Sequence, residues 1–308
     1  MRLKKTHECS VVEFGMRGLN QINYLSKIAR PSISVITNIG MSHIEMLKTR
    51  DNIAQAKAEI FEGMDINGIV ILNRDDSYFE YLSKQTNCKV ISFGETDKAD
   101  IRISDIQLSE KANPTFRLNG LPITMFNCIG KHHVYNAAVA YAVGLELGVR
   151  QEDIAEQIST FVTPEKRGSF SFAKSGAVLL DNTYNAAPDS IKSSLYTLLE
   201  LKKRGKRTIA VIGEMLELGT HSEEAHKHIG KVIAELQSFE ILVTVGEYAE
   251  LIGQESKIKN RKHFPTSTSA AKYLLEEIKK DDIVLIQGSN NVSLDLVVNA
   301  LEKGGINM

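Results

Sequence analysis

Short apolar runs ended by glycine or a polar residue punctuate the chain. "SVVEFG" (10–15), "SISVITNIG" (32–40), "GIVILN" (68–73) and "CKVISFG" (88–94) are continuous rather than alternating. That is the pattern of parallel strands buried on both faces. Shorter alternating stretches between 100 and 127 predict a small antiparallel meander. Elsewhere the period changes to that of a helix. In "TRDNIAQAKAEIFEGM" (49–64), opened by Thr49 or Asp51, the residues Ile53, Ala56, Ile60 and Met64 recur at steps of three and four, marking one inward stripe. Lys57 falls on that same stripe. "HHVYNAAVAYAVGLELGV" (132–149) reads as an Ala-rich helix with Gly148 near its end, followed by the helix "QEDIAEQISTF" (151–161).

At "VTPEKRGSF" (162–170), Pro164, a group of charges and Gly168 interrupt the pattern, so a domain boundary is expected there, dividing 1–163 from 164–308. Beyond it strands and helices alternate. "AVLLDN" (177–182) precedes a helix from about 188 to 203, and "RTIAVIG" (207–213) one from about 222 to 237. "EILVTVG" (240–246) is followed by a helix after Thr266, and "DIVLIQG" (282–288) by a last helix from about 292. This alternation implies a doubly wound parallel sheet, in which ligands gather at the carboxyl ends of strands. Those ends are "DNTYNAAPDS" (181–190), "GEMLELG" (213–219) and "QGSNN" (287–291).

A length of 308 residues exceeds one ordinary core and suits two domains. With 43% hydrophobic and 24% charged residues the chain reads as globular and ordered. A net charge of -1 gives no electrostatic reason for nucleic acid or an acidic membrane surface as partner. Cys9, Cys88 and Cys128 have neither zinc nor disulfide spacing, so burial in a reducing cytosol is expected of them. No apolar run reaches the roughly 18 residues that span a bilayer, and "MRLKK" leads into an expected strand rather than a signal-peptide core. Cytoplasmic location follows, without membrane insertion.

No strand end carries G-x-G-x-x-G, which argues against a dinucleotide fold. The Gly-Lys pairs at Gly130, Gly205 and Gly230 lack the upstream glycine and the following Ser or Thr of a P-loop, so this stretch cannot cradle a triphosphate in that manner. Glu13, at the end of the first apolar run, and His43, after the second, are candidate metal ligands at adjacent strand ends. Lys57 would join them only if carbon dioxide carbamylated its amine, which requires the neutral form that burial favours. Otherwise it snorkels to solvent beside small Ala neighbours. Asn136, on the Ala-rich helix, either satisfies a backbone group or reads an adenine edge. Arg167 pairs with phosphate or with a surface carboxylate. "DNTYNAAPDS" satisfies turn and cap chemistry and is also rich in ribose and phosphate partners. His221, His226 and His228 lack zinc spacing and are expected to be exposed or substrate-facing.

Eight runs, in order along nearly the whole chain, resemble the Mur ligase family: "VVEFGMRG", "ARPSISVITNIGMSHIE", "NIAQAKAEIFEGM", "GIVILNRDD", "GKHHVYNAAVAYAVGLELGV", "DNTYNAAPDSIKSSL", "GEMLELG" and "IQGSNN". The nearest resemblance is to the branch that joins D-alanyl-D-alanine to UDP-N-acetylmuramoyl-tripeptide. It implies an α/β chain in which an incomplete central ATPase domain is followed by a doubly wound, Rossmann-like C-terminal domain. It implies ATP and Mg2+ as cofactors and an acyl-phosphate route to the amide. By the same resemblance Glu13, His43 and carbamylated Lys57 serve the metal sites and the reaction. Asn136 would contact adenine, Arg167 the phosphates, and Asp181, Asn182, Tyr184 and Asn185 the nucleotide from the opposite domain.

The departures from the family pattern carry weight of their own. The UDP-sugar-binding domain and P-loop that precede the equivalent of Glu13 are missing, which implies a fragment, or one part of a split enzyme that needs a separate N-terminal half and does not ligate alone. Asn182 stands where an Asp is usual, and Gln287 where a Lys is usual before Gly288 and Ser289. "GLNQI" (18–22) and "LKTR" (47–50) depart as well. The rival readings are a non-catalytic remnant that binds a nucleotide or cell-wall precursor, and another Mur or folylpolyglutamate type of ligase.

Overall fold

The computed structural model describes residues 4–109, 112–202, 205–237 and 239–306. The first residues of "MRLKK" and Lys203, the expected end of one helix, lie outside them. Helix α1 (Gln21–Ala29) leads into strand β1 (Ile33–Ile36), the single turn α2 (Ile44–Leu47) and helix α3 (Arg50–Ala58), which tightens into a 3-10 turn over Glu59–Gly63. Thr49, of the two expected caps, opens α3: its Oγ1 accepts from the Asn52 N–H at 3.1 Å. Ile53 and Ala56 are buried as the period requires. Gly63 lets the end of this helix touch α1, since a Cβ there would run into the Ser26 backbone and lie 2.7 Å from the Lys27 nitrogen.

Strand β2 (Ile69–Asn73), helix α4 (Phe79–Ser83) and strand β3 (Lys89–Gly94) continue the unit, and the expected meander follows as β4 (Ile101–Leu108), β5 (Pro114–Leu118) and β6 (Leu121–Thr124). These strands form one sheet in the order β1-β2-β3-β4-β5-β6, parallel through β4 and antiparallel after it. Helices α5 (His132–Glu146) and α6 (Gln151–Thr160) cover one face, where Tyr141 of α5 shares a buried cluster with Ile71, Phe93 and Phe116 of the sheet.

Residues 10–15 form no strand. Val11 is 88% exposed, Phe14 packs partly buried against the core, and Met16 is the first fully buried residue among the described ones. An apolar run becomes a strand when its N–H and C=O groups find a ladder partner, and β1 pairs with β2 alone among the described residues. Cys9 is exposed with this segment, against expectation, while Cys88 is half-buried and Cys128 buried; all three are free thiols.

The second sheet is built from β7 (Ser169–Phe172), β8 (Val178–Asn182), helix α7 (Pro188–Lys202), β9 (Thr208–Gly213), helix α8 (Ser222–Leu236), β10 (Ile241–Val245), helix α9 (Ala249–Glu255), β11 (Arg261–Phe264), helix α10 (Ser267–Glu277), β12 (Ile283–Gln287) and helix α11 (Asp295–Lys303). Its order is β11-β10-β9-β12-β8-β7, parallel except for the edge strand β7, which adds an antiparallel ribbon to the expected parallel sheet. β9, β10 and β12 are buried at every residue, as their continuous apolar runs demand. Helices α7 and α8 cover one face and α10 and α11 the other. Ile36, Ile53 and Leu72 of the first layer share one buried cluster with Leu180, Ile191 and Leu195 of the second, so the two halves are joined by core.

His226 is buried, not exposed or substrate-facing as expected. It shares the inner face of α8 with Ala225 and Ile229. Its Nε2 accepts from the Met215 N–H at 2.9 Å, so Nδ1 carries the proton and donates to the Ser222 carbonyl at 2.6 Å. His221 lies beside the Lys48 carbonyl at 3.2 Å, and His228 is exposed. No helix among the described residues is long and apolar enough to cross a membrane.

Candidate functional site

A cleft of about 1880 Å³ opens between the two sheets at the carboxyl ends of their strands. Asn136, exposed on α5, lines one wall. Arg167, Asn182, Tyr184 and Asn185 line the other. These are five of the sequence-predicted residues, brought together from both halves. The Arg167 guanidinium lies 3.8 Å from the centroid of the Tyr184 ring, a cation–π stack that holds a flat cationic surface at the cleft edge. The backbone fixes this stack: Tyr184 N–H donates to the Lys166 carbonyl at 3.1 Å and Gly168 N–H to the Asp181 carbonyl at 2.9 Å.

Asp181 does not line the cleft. Its Oδ1 accepts from the Thr183 N–H at 2.9 Å and the Thr183 hydroxyl at 2.7 Å, closing the turn after β8. Asn185 Oδ1 lies 2.8 Å from the Ala186 nitrogen.

Lys57 is half-buried on α3, and its Nζ donates to the Asn38 carbonyl at 2.7 Å. Burial pushes its pKa below the usual lysine range, partly opposed by the nearby Asp76 carboxylate. Asn38 itself lines the cleft. Lys57 is one of three donors on the loop after β1: Asn73 donates to the Thr37 carbonyl at 3.1 Å and Arg50 to the Ile39 carbonyl at 2.7 Å. Asp76 accepts from the Ile39 N–H at 2.7 Å. The loop is thereby clamped residue by residue.

His43 caps α2 in the left-handed region, φ 63°, and its Nδ1 lies 2.7 Å from Glu217 Oε2. Glu217 belongs to "GEMLELG" in the second half. Its carbonyl accepts from the Glu45 N–H at 3.2 Å, and its other carboxylate oxygen is 3.4 Å from Arg17. Glu13 is exposed and makes no hydrogen bond or ion pair among the described residues. No three His, Cys, Asp or Glu side chains among the described residues converge as a ready metal cage. Glu13, His43 and Lys57 are not among the residues that line the cleft.

Three features of the site are absent from the expected set. Glu217 is one. The second is the pair His132 and His133, which start α5 with ring centroids 4.1 Å apart and line the cleft. His132 Nδ1 and His133 Nε2 are buried without a hydrogen-bond partner. Burial, with the neighbouring His132, pushes the His133 pKa down to about 3, and burial lowers that of His132. Two adjacent imidazoles just before Asn136 were the available signal. The third is Tyr135, whose hydroxyl lies 2.8 Å from Asp75 and 2.7 Å from Glu95, with Lys131 paired to Glu95 at 2.8 Å.

The family model described as Mur ligase middle domain matches residues 1–144, and that described as Mur ligase, glutamate ligase domain, matches residues 170–290. The chain is 31% identical over 306 residues to UDP-N-acetylmuramoyl-tripeptide--D-alanyl-D-alanine ligase of Bacillus subtilis, covering 98% of this chain and 66% of that enzyme. To the enzyme of the same description from Escherichia coli it is 26% identical, covering 99% of this chain and 68% of that one. Among solved structures, MurF from Acinetobacter baumannii superposes with a TM-score of 0.87 at 27% identity, over 98% of this chain and 66% of that one. MurF ligase from Thermotoga maritima in complex with ADP superposes with a TM-score of 0.80 at 26% identity, over 93% and 65%. The chain thus spans about two thirds of the length of these relatives. With both family domains matched in order on two α/β sheets that meet at a shared cleft, the chain belongs to the Mur ligase family.

Proposed function

We propose that this chain supplies the central and C-terminal parts of an ATP-dependent amide ligase that adds D-alanyl-D-alanine to UDP-N-acetylmuramoyl-tripeptide in peptidoglycan precursor synthesis, in the cytoplasm. One observation carries the reading: Asn136 from one half and the Arg167–Tyr184 stack from the other face the same cleft. In this assignment the Asn136 amide reads the adenine edge, and Arg167 meets phosphate oxygens with its planar guanidinium already oriented by Tyr184. Asn182, Tyr184 and Asn185 contact the nucleotide from the second half, and Asp181 shapes the turn that presents them.

The tripeptide carboxylate attacks the γ-phosphorus of ATP, releasing ADP and leaving an acyl phosphate. The amine of D-alanyl-D-alanine then attacks the acyl carbon, phosphate leaves with the C–O bond electrons, and the amine loses a proton as the amide forms. Closure of the two halves excludes the water that would hydrolyse the acyl phosphate. Glu13, His43 and carbamylated Lys57 would hold Mg2+, which offsets charge on the transferring phosphoryl group. Lys57 fits this role in one respect, because burial holds its amine toward the neutral form that takes up carbon dioxide. His43 fits in another, because Glu217 occupies Nδ1 and so orients Nε2.

No Gly-x-x-x-x-Gly-Lys-Ser/Thr stands among these residues, so ligation by this stretch requires a P-loop supplied by further chain or by a separate N-terminal half. The test is calorimetry with ADP. Binding by the chain, weakened about tenfold or more by Arg167→Ala and by Asn136→Ala, supports the reading. Absence of binding even with an N-terminal half of a relative present would refute it.

A further inference from the structure

The start of α5 borders a gap in the cleft wall where several polar groups lack partners. No side chain caps this 15-residue helix, and its first residues His132 and His133, with Lys131 before them, line the cleft. An uncapped start presents backbone N–H groups and the positive end of the helix dipole. Two neighbouring cations are matched, Lys131 by Glu95 at 2.8 Å and Lys166 by Asp295 at 2.9 Å. Arg167 is not: its guanidinium stacks on Tyr184 and makes no ion pair or hydrogen bond among the described residues.

The histidine pair is an independent sign of a ligand. His133 is 5% exposed and lines the cleft, yet its Nε2 is buried without a partner. Gly168, the residue after Arg167, has φ 87° and no side chain to stand between. A Cβ there would lie 3.4 Å from His133 Nε2 and 3.8 Å from His132 Nε2, so both imidazole edges border the backbone beside Arg167. Either nitrogen of a neutral imidazole can carry the hydrogen, and an acceptor arriving at Nε2 draws it there. An orphaned buried ring nitrogen is a standing cost in the free chain, which such an acceptor relieves. Asn182 Oδ1 lies 3.6 Å from the same point, while its Nδ2 donates to Ser194 Oγ at 2.9 Å. That oxygen is an acceptor, and it suits an O–H of the ligand rather than a bare oxyanion.

We propose that the start of α5, the His132–His133 pair and Arg167 form a phosphoryl-binding site, whose ligand is a phosphate ester with a hydroxyl nearby, as in a nucleoside phosphate. A cation at this gap would meet a guanidinium and the positive end of a helix. An anion meets backbone N–H groups, two ring nitrogens able to donate and a planar fork of donors. The spacing along α5 agrees, because Asn136 lies one turn beyond His132, a pitch of about 5.4 Å, and one nucleotide can reach both. The nucleotide as source rests on the ligase reading above; the preference for a phosphoryl group rests on the site alone.

Calorimetry comparing AMP with adenosine tests the site. His132→Phe and His133→Phe keep a flat ring and remove its nitrogens. The unmodified chain is expected to bind AMP at least tenfold more tightly than adenosine, and each variant to lose about tenfold in AMP affinity while its adenosine affinity holds. An AMP-to-adenosine ratio unchanged in both variants would overturn the site and leave the ligase reading intact. A second measurement needs no variant to fold: 15N imidazole spectra of the unmodified chain titrated with inorganic phosphate. The His132 and His133 resonances are expected to shift and that of His226, whose two nitrogens are both bonded, to stay. If neither adenosine nor AMP binds, the nucleotide reading fails and the phosphate titration decides the site by itself. Shifts at the pair sustain it, and their absence overturns it.

Discussion

Glu217 Oε2 lies 2.7 Å from His43 Nδ1, and this contact ties the loop after β9 to the loop after β1 across the two halves of the chain. Both side chains are partly open to solvent, 34% and 45% exposed, so the pair adds little to stability. Glu217→Ala is expected to change unfolding free energy by less than about 1 kcal/mol in a urea titration. The sharper consequence is on the ring. With its carboxylate partner gone, His43 no longer favours the tautomer protonated at Nδ1, and 15N spectra of the imidazole should show the two tautomers redistributing. An unchanged tautomer ratio would refute this orienting role.

Lys57 invites a chemical test. If its amine takes up carbon dioxide, the chain incubated with 13C-bicarbonate and magnesium at mildly alkaline pH should give a carbamate carbon resonance that Lys57→Arg abolishes, since a guanidinium does not form one. Lys57→Ala removes the hydrogen bond to the Asn38 carbonyl. It should cost about 1 kcal/mol of stability, because Asn73 and Arg50 still hold the same loop. The same substitution should abolish ligation by an enzyme completed with its N-terminal part. Retained ligation would remove Lys57 from the reaction.

Much of this was legible in the sequence, and the exceptions share a physical cause. "GIVILN" and "DIVLIQG" announced β2 and β12 because a strand buried on both faces must be apolar throughout. The rule that ligands sit at strand ends placed Asn182, Tyr184 and Asn185 at the cleft. Residues 10–15 departed from expectation because, although their composition was right, they find no ladder partner among the described residues. His226 was misjudged because the three histidines were weighed only against zinc spacing, whereas its ring bridges the Met215 and Ser222 backbones. Glu217 and His43 are 174 residues apart in the chain, and no local pattern encodes a pair of that kind.

Gly63 provides a test of packing alone. A methyl group there would meet the Ser26 and Lys27 backbone of α1, which cannot rotate out of the way as a side chain could. Gly63→Ala should therefore destabilise by about 3 kcal/mol, at the upper end for overpacking, despite the better helix propensity of alanine. The measurement is the midpoint of urea unfolding; a stabilised or unchanged variant would show that α1 shifts freely on the turn after α3.

The buried histidines set the pH dependence of folding, and the sign follows from their shifts. His132, His133 and His226 all have folded pKa values below the ordinary 6.5, lowered chiefly by burial, and His133 reaches about 3. The unfolded chain therefore binds more protons than the folded one as pH falls below about 6.5. Their contribution is fully present above that value. It is lost on acidification, by up to about 1.4 kcal/mol per pH unit for each histidine that must charge on unfolding. Urea midpoints at pH 7.5, 6 and 5 should fall in that order. His133→Gln should flatten the slope by close to one proton, because its folded pKa is low enough to keep it neutral across the whole interval. Equal slopes in the unmodified chain and in His133→Gln would mean that water reaches the start of α5 and that the two stacked rings are not held neutral by the fold.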